Sequence, residues 1–184
     1  DALNKISFSA NWMSSTKTAD EKGDLVRGVQ ALANMADSLN VSVPVGKDSL
    51  SMNVNWKEGQ SEHTVTSPMT LNISSFSNVN DLNKSVTPEL SSSDTTLLHL
   101  WTHSDKYRLG GSALYQSFKL YGGATPDIDD VNQFKVLFEA TQELLDKDFI
   151  EALHDISDGG LITSLIEMAL CSCLLYTSDA ADDP

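Results

Sequence analysis

Basic side chains are scarce in this sequence. Its 184 residues include 12 Lys and Arg against 26 Asp and Glu, which gives a formal net charge of −14 at pH 7. Nucleic acids and anionic membrane surfaces are bound through clustered Lys and Arg, and the sequence has no such cluster. We therefore expect no nucleic-acid partner and no membrane partner. A phosphate-bearing ligand would need a divalent cation between its phosphates and the protein's carboxylates.

Cysteines and long apolar runs are also lacking. The two cysteines, Cys171 and Cys173, do not form the disulfide framework of a small secreted domain, and neither has the neighbouring histidine and base of a catalytic cysteine. No apolar run is long enough to span a bilayer, and the N-terminus lacks the basic-then-apolar order of a signal peptide. These absences favour a cytoplasmic protein. The 40% of apolar residues suffice for a folded core.

The first half of the chain carries both helical and strand patterns. Apolar residues recur every three or four positions over residues 20–39, which predicts a helix with one buried face. Residues 41–45 are typical of a short strand that leads into a loop at residues 46–49. Alternation of apolar and polar residues predicts two more strands, paired as a hairpin-like antiparallel unit, at residues 50–56 and 69–73.

A polar segment separates the two halves. Residues 77–95 are rich in Ser, Asn, Asp and Pro, and apolar periodicity lapses there. We expect one domain at residues 1–80, a linker at 81–95 and a second domain at 96–172. In the second domain the patterns predict strands at Thr96–Trp101 and Phe149–Leu153, and three helices, after Gly110-Gly111-Ser112, from Val131 to Leu145, and from Leu161 to Ala169.

The most informative motif runs from His154 to Leu161. A predicted strand ends in His-Asp, a short loop presents Ser157, and Gly159 and Gly160 open a helix whose free backbone amides face that loop. Such a helix start can hold phosphate oxygens, and Asp155 can hold a magnesium ion that bridges to them. The alternative is that Ser157 or Asp158 only caps the helix and the glycines only make the turn. Spacing alone leaves both interpretations open.

A second polar motif comprises Gly46, Lys47, Asp48 and Ser49. It is not a P-loop, because that motif requires an earlier glycine where this chain has Val41. The four residues offer a cation, a carboxylate and a hydroxyl that can contact a phosphate or a sugar. The alternative is an ordinary turn.

Six blocks, taken together, resemble phosphoribosylformylglycinamidine synthase in its long single-chain form. Their order and spacing match that family from about residue 3 to about residue 171. The resemblance implies an ATP-dependent, glutamine-using ligase of purine biosynthesis that converts formylglycinamide ribonucleotide to the amidine, with ATP and Mg²⁺ as cofactors. The blocks are SANWM at 9–13, PVGKDSLSM at 44–52, TSP at 66–68, TPEL at 87–90, LGGSAL at 109–114 and HDISDGGL at 154–161.

The resemblance also assigns roles to residues. Asp155 corresponds to a magnesium ligand, and Ser157, Gly159 and Gly160 correspond to a nucleotide-binding loop. The motif at residues 46–49 corresponds to a lining near the substrate or nucleotide. The family has two pseudo-symmetric nucleotide sites, one catalytic and one structural, and the sequence does not say which of them Asp155 serves. No catalytic residue is expected in this segment.

The implied fold is α/β (α+β), of the aminoimidazole-ribonucleotide-synthetase type. Residues 1–80 would be the C-terminal part of its N-type domain, and residues 96–172 the N-terminal part of its C-type domain. Residues 173–184 resemble a translated sequencing adaptor. The remaining domains, including the glutaminase that supplies ammonia, would belong to the same chain, so we expect this segment alone to be inactive. The alternatives are a non-catalytic module with a structural nucleotide and magnesium site, and a sister ATP-binding synthetase such as aminoimidazole ribonucleotide synthetase.

Overall fold

The computed structural model describes residues 3–91, 96–102 and 106–172. The chain divides into two compact units, residues 1–80 and 81–184. Strands occur in the first unit, and the second contains three of the four α-helices of the described residues. The tail at 173–184, with Cys173, lies outside the described residues.

The first unit is built on a three-stranded sheet. Its strand order is β2-β1-β5, with β1 parallel to β2 and antiparallel to β5. A separate antiparallel hairpin joins β3 to β4. The elements are β1 (Ser7–Met13), α1 (Ala19–Leu39), β2 (Ser42–Ser49), β3 (Asn53–Glu58), β4 (Ser61–Thr66) and β5 (Thr70–Phe76).

The central strand β1 gives the sheet an apolar face on which α1 packs. Its side chains alternate, so Phe8, Ala10 and Trp12 share one face of the sheet. Ala10 is 2% exposed, the lowest value among the apolar residues of the core. A methyl group at Gly28 of α1 would meet Trp12 and Met69, which shows that α1 packs closely on this face. The helix and the apolar side of the sheet therefore form the core of the unit.

Helix α1 has well-defined ends. The Thr18 hydroxyl accepts a hydrogen bond from the Glu21 amide, and the Glu21 carboxylate accepts one from the Thr18 amide, which completes a capping box. The Ser15 hydroxyl donates to the same carboxylate at 3.0 Å. The hydrogen bond from the Thr18 backbone, the largest contribution, holds the pKa of Glu21 below its ordinary value. At the other end, Asn40 adopts a left-handed conformation with φ of 55°.

The predicted helix at residues 20–39 is confirmed, but two predictions for the strands are wrong. Residues 46–49 are not a loop, because they form the second half of β2 and pair with residues 10–13 of β1. The strand of residues 69–73 does not pair with its predicted partner: β5 pairs with β1, and β3 pairs with β4 across a tight turn at Gly59. Alternation identifies a strand but not its neighbour, because many pairings satisfy the same pattern.

The regular secondary structure described in the second unit is helical. All three of its predicted helices are confirmed. The segment that precedes them packs along their ends: Leu153 N–H donates to Thr87 O at 3.1 Å, and Leu90 N–H donates to the Ser172 hydroxyl at 2.6 Å. The helices are α2 (Ala113–Ser117), α3 (Val131–Asp146) and α4 (Gly160–Cys171).

The two strands predicted for the second unit are wrong. Residues 96–101 and 149–153 form no paired strand in the described part of the molecule. They line an apolar cavity of about 750 Å³ together with side chains of α3 and α4. A strand needs a hydrogen-bonded neighbour, which apolar composition alone does not supply. Among the described residues, no helix combines the length and apolar character needed to cross a membrane.

The capping box predicts how stability depends on pH. Glu21→Gln keeps a side chain that can complete the box but removes its charge. Because the folded-state pKa of Glu21 is lowered, the carboxylate stabilises the fold above its ordinary pKa of 4.5, and this contribution disappears as the pH falls through the lowered value. Urea denaturation of the protein should therefore show Glu21→Gln to be less stable at pH 7 and equal to the parent at the acidic end.

The control for this experiment is Glu139→Gln on α3. The described residues give the Glu139 side chain no hydrogen bond or ion pair. It therefore measures the generic effect of replacing Glu by Gln. A stability difference for Glu21→Gln that stays constant from pH 7 into the acid range would contradict the role assigned to the carboxylate.

Candidate functional site

The candidate site is the loop that leads into α4. Gly159 and Gly160 both have positive φ, 88° and 75°, and Gly159 is the N-cap of the helix. Among the described residues no side chain caps this helix start, so the interpretation of Ser157 or Asp158 as a cap is wrong. The Gly160 amide closes the turn on Ser157 O at 3.0 Å. The helix therefore begins with backbone amides that lack a side-chain acceptor.

Glycine is required at position 159 for two reasons. Its positive φ disfavours any side chain, and a Cβ there would clash with the side chain of Thr163. The Thr163 hydroxyl in turn donates to Gly159 O at 3.1 Å. Gly160 has positive φ, but beyond its own turn of helix no described atom lies within 4 Å of its Cβ position. At position 159 both the backbone conformation and the lack of space therefore disfavour a side chain, whereas at position 160 only the backbone conformation does.

Helix α4 holds the loop through a buried serine. Ser164 is 4% exposed, and its hydroxyl lies 3.2 Å from the carbonyl oxygen of Asp155 and 3.3 Å from that of Gly160. These contacts fix the backbone of the loop at both ends. The loop geometry therefore depends on the helix that follows it.

His154 connects the loop to α4 a second time. Its Nε2 lies 3.1 Å from Oε2 of Glu167, and its Nδ1 lies 2.6 Å from the carbonyl oxygen of Asp155. The same Nδ1 is 3.5 Å from Oδ1 of Asp155. The His154 side chain is 15% exposed, whereas that of Asp155 is 85% exposed. The histidine is thus held against the helix while the carboxylate of Asp155 projects into solvent.

Asp155 fits one mode of magnesium binding. In the described residues no three His, Cys, Asp or Glu side chains converge as a metal cage. Magnesium does not require one, because it commonly keeps several waters and is held by one or two carboxylates together with phosphate oxygens of a ligand. An exposed carboxylate beside an uncapped helix start supplies that combination. The donor set therefore fits a magnesium–phosphate group better than a free metal ion.

Asp155, Ser157 and Gly159 lie on the loop before α4, and Gly160 is the first residue of the helix. The sequence pattern assigns no role to His154, Glu167 or Ser164. A signal for the last two was available: Ser164 and Glu167 stand four and seven positions after Gly160, which places them on one face of the helix.

The motif at residues 46–49 lies in the first unit, as part of β2. Lys47 pairs with Asn11 and Asp48 with Trp12, so the two charged side chains are on opposite faces of the sheet. Both are exposed. A Cβ at Gly46 would lie 2.9 Å from the carbonyl oxygen of Ala10, so glycine is required there by close approach of the two strands. The motif does not form the predicted loop.

Comparison with known proteins defines the class first. Residues 1–78 match the model of the FGAR-AT PurM_N-like domain, and residues 100–175 match that of the AIR synthase related protein, C-terminal domain. Both matches indicate the AIR synthase-like fold. These matches confirm the α+β fold class expected from the sequence.

A curated relative defines the family within that class. The chain is 42% identical over 173 residues to phosphoribosylformylglycinamidine synthase of Schizosaccharomyces pombe, an alignment that covers 91% of this chain. It spans 13% of the length of that relative. The chain belongs to the phosphoribosylformylglycinamidine synthase family, which confirms the resemblance of the six sequence blocks.

The two glycines of the loop make a matched pair for mutagenesis. Gly160→Ala adds only the cost of a positive φ, about 1–2 kcal/mol. Gly159→Ala adds the same cost and a clash with Thr163, so it should destabilise the second unit by clearly more. Thermal or urea unfolding of both variants measures the difference. Equal destabilisation by the two substitutions would show that Thr163 does not restrict the loop.

Proposed function

We propose that this chain is a segment of an ATP-dependent ligase of purine biosynthesis that converts formylglycinamide ribonucleotide to formylglycinamidine ribonucleotide. The observation that carries the proposal is the loop from Asp155 to Gly160, with its exposed carboxylate and uncapped helix start, in a chain of this synthase family. Residues 1–80 would be the end of an N-type domain and residues 96–172 the beginning of a C-type domain.

The loop residues would act together on a nucleotide. The carboxylate of Asp155 would hold the magnesium ion, and the hydroxyl of Ser157 would donate to a phosphate oxygen. The amides at the start of α4, behind Gly159 and Gly160, would place partial positive charge against the same phosphates. Magnesium, when bound, neutralises phosphate charge and bridges the nucleotide to the protein. This positioning and charge neutralisation is the main requirement of phosphoryl transfer.

The acidic composition makes the cation necessary. A chain of net charge −14 repels a polyphosphate, and Asp155 itself would repel it without a metal between them. The uncapped helix start contributes attraction only over about the first turn. The proposed site therefore takes nucleotide and magnesium together.

The rest of the proposed reaction lies outside this segment. The family activity uses ammonia released from glutamine, which requires a glutaminase elsewhere in the chain. The small share of the relative that this chain spans supports further domains in the same polypeptide. We propose a cytoplasmic enzyme whose partners are ATP, formylglycinamide ribonucleotide and ammonia. Residues 46–49 form part of β2. In this proposal they would be a second element that faces the substrate or the nucleotide.

A second candidate function is a structural nucleotide site that only stabilises the fold. It is favoured by the many contacts that tie the loop to α4, through His154, Ser164 and Thr163. A bound nucleotide at about 100 times its dissociation constant would stabilise the protein by roughly 2.7 kcal/mol. Turnover and stability therefore separate the two functions.

Asp155→Asn in the full-length synthase tests the choice. If the site is catalytic, turnover with ATP and ammonia should fall by at least about 100-fold, since one preorganised charge interaction contributes that much or more, while thermal stability stays near the parent value. Asp158→Asn, a change on the same loop at a residue without a proposed role, is the control and should retain turnover. Normal turnover with a lower melting temperature would instead identify a structural site, and normal turnover with unchanged melting would reject both.

A further inference from the structure

Glu167 lies near the candidate site and has no role in the proposed function. It lies on α4, seven positions beyond the helix start, and its side chain is 50% exposed. Its Oε2 lies 3.1 Å from Nε2 of His154. When Nε2 carries a proton, the Glu167 carboxylate accepts that N–H and fixes the orientation of the ring. The partner of Nδ1, the Asp155 carbonyl oxygen, is also an acceptor, so both contacts are hydrogen bonds at once only in the doubly protonated ring.

The other nitrogen of the ring transmits this orientation to Asp155. Nδ1 of His154 lies 2.6 Å from the backbone oxygen of Asp155 and 3.5 Å from its Oδ1. A rotation of the ring would break the contact with the backbone and with the carboxylate at the same time. Glu167 thus reaches Asp155 through one rigid aromatic ring, without touching it.

An exposed carboxylate needs such support. The side chain of Asp155 is 85% exposed, and within the described part of the chain its carboxylate has no hydrogen bond or ion pair other than the approach to His154. Ser164 holds the Asp155 backbone oxygen but not the carboxylate. The His154 ring is therefore the group that limits the directions in which this carboxylate points.

We propose that Glu167 is a positioning residue for divalent-cation binding at Asp155, acting through the His154 ring. The inference rests on the proposed function in one respect, the assignment of Asp155 as the cation ligand. Groups that hydrogen-bond a metal ligand typically change metal affinity by about 10- to 100-fold when they are removed. Glu167 stands one group further from the ion, so we take the lower end of that range for its loss. Loss of Glu167 should therefore weaken cation binding without removing the ligand.

The experiment uses the full-length synthase and Mn²⁺ as a paramagnetic probe of the magnesium site. Mn²⁺ binding in the presence of ATP is measured by electron paramagnetic resonance for the parent, Glu167→Ala, Glu167→Gln and Asp155→Asn. Glu167→Ala should raise the dissociation constant about 10-fold. Glu167→Gln keeps an oxygen acceptor for the His154 N–H and should recover most of the affinity. Glu139→Ala on α3 removes a carboxylate away from the loop and should bind like the parent.

A second readout needs no metal. The ¹⁵N shifts of the His154 ring report which nitrogen is hydrogen-bonded, and they should change in Glu167→Ala and be largely retained in Glu167→Gln. Unchanged ring shifts in Glu167→Ala would overturn the proposed contact. Changed shifts with unchanged Mn²⁺ affinity would overturn the positioning role.

The Asp155→Asn variant distinguishes failure of the positioning role of Glu167 from failure of the proposed function. If it lowers Mn²⁺ affinity while Glu167→Ala does not, the positioning role fails and the proposed function stands. If Asp155→Asn leaves Mn²⁺ binding unchanged, Asp155 is not the cation ligand, and the proposed magnesium site and the role of Glu167 fail together. A Glu167→Ala protein whose melting temperature falls in parallel with Mn²⁺ affinity, without recovery in Glu167→Gln, would reduce Glu167 to a structural residue.

Discussion

The candidate site depends on one backbone constraint, the two consecutive positive φ angles at Gly159 and Gly160. They turn the chain sharply enough for α4 to start without a side-chain cap, so its first amides face the loop. A positive φ costs free energy for any residue with a Cβ, and at position 159 a Cβ would also clash with Thr163. The same turn brings the loop within reach of Ser164 and Glu167 on the helix. The backbone turn of the loop, and the direction in which the first amides of α4 point, thus depend on two glycines.

A comparable constraint organises the first unit. Strand β1 pairs with β2 on one side and β5 on the other, and its alternation separates an apolar face under α1 from a polar face. Gly46 permits the close approach of β2 to Ala10. Lys47 and Ser49 therefore lie on the polar face because of strand register, not because of a loop. In both units, glycine determines where the polar groups of a sequence motif can lie.

The sequence predicted the helices well and the strand pairing poorly, for a physical reason. Helices are local: the pattern at residues 20–39 and the N-terminal capping box are both contained in one short segment. Strands need partners, so residues 96–101 and 149–153, apolar enough for strands, stay unpaired in the described structure. The polar residues of the loop were found because they are adjacent in sequence. The contact between His154 and Glu167 was not, because thirteen positions of turn and helix separate the two residues.

The most direct test of the account is amide hydrogen exchange of the full-length synthase over residues 153–165. Exchange is compared with no ligand, with ATP and a chelator, with magnesium alone, and with magnesium and ATP together. We expect slower exchange at the first amides of α4 only when magnesium and ATP are both present, because the nucleotide would cover amides that no described side chain caps. Unchanged exchange at these amides, in an enzyme that magnesium and ATP protect elsewhere, would contradict a nucleotide site at this loop.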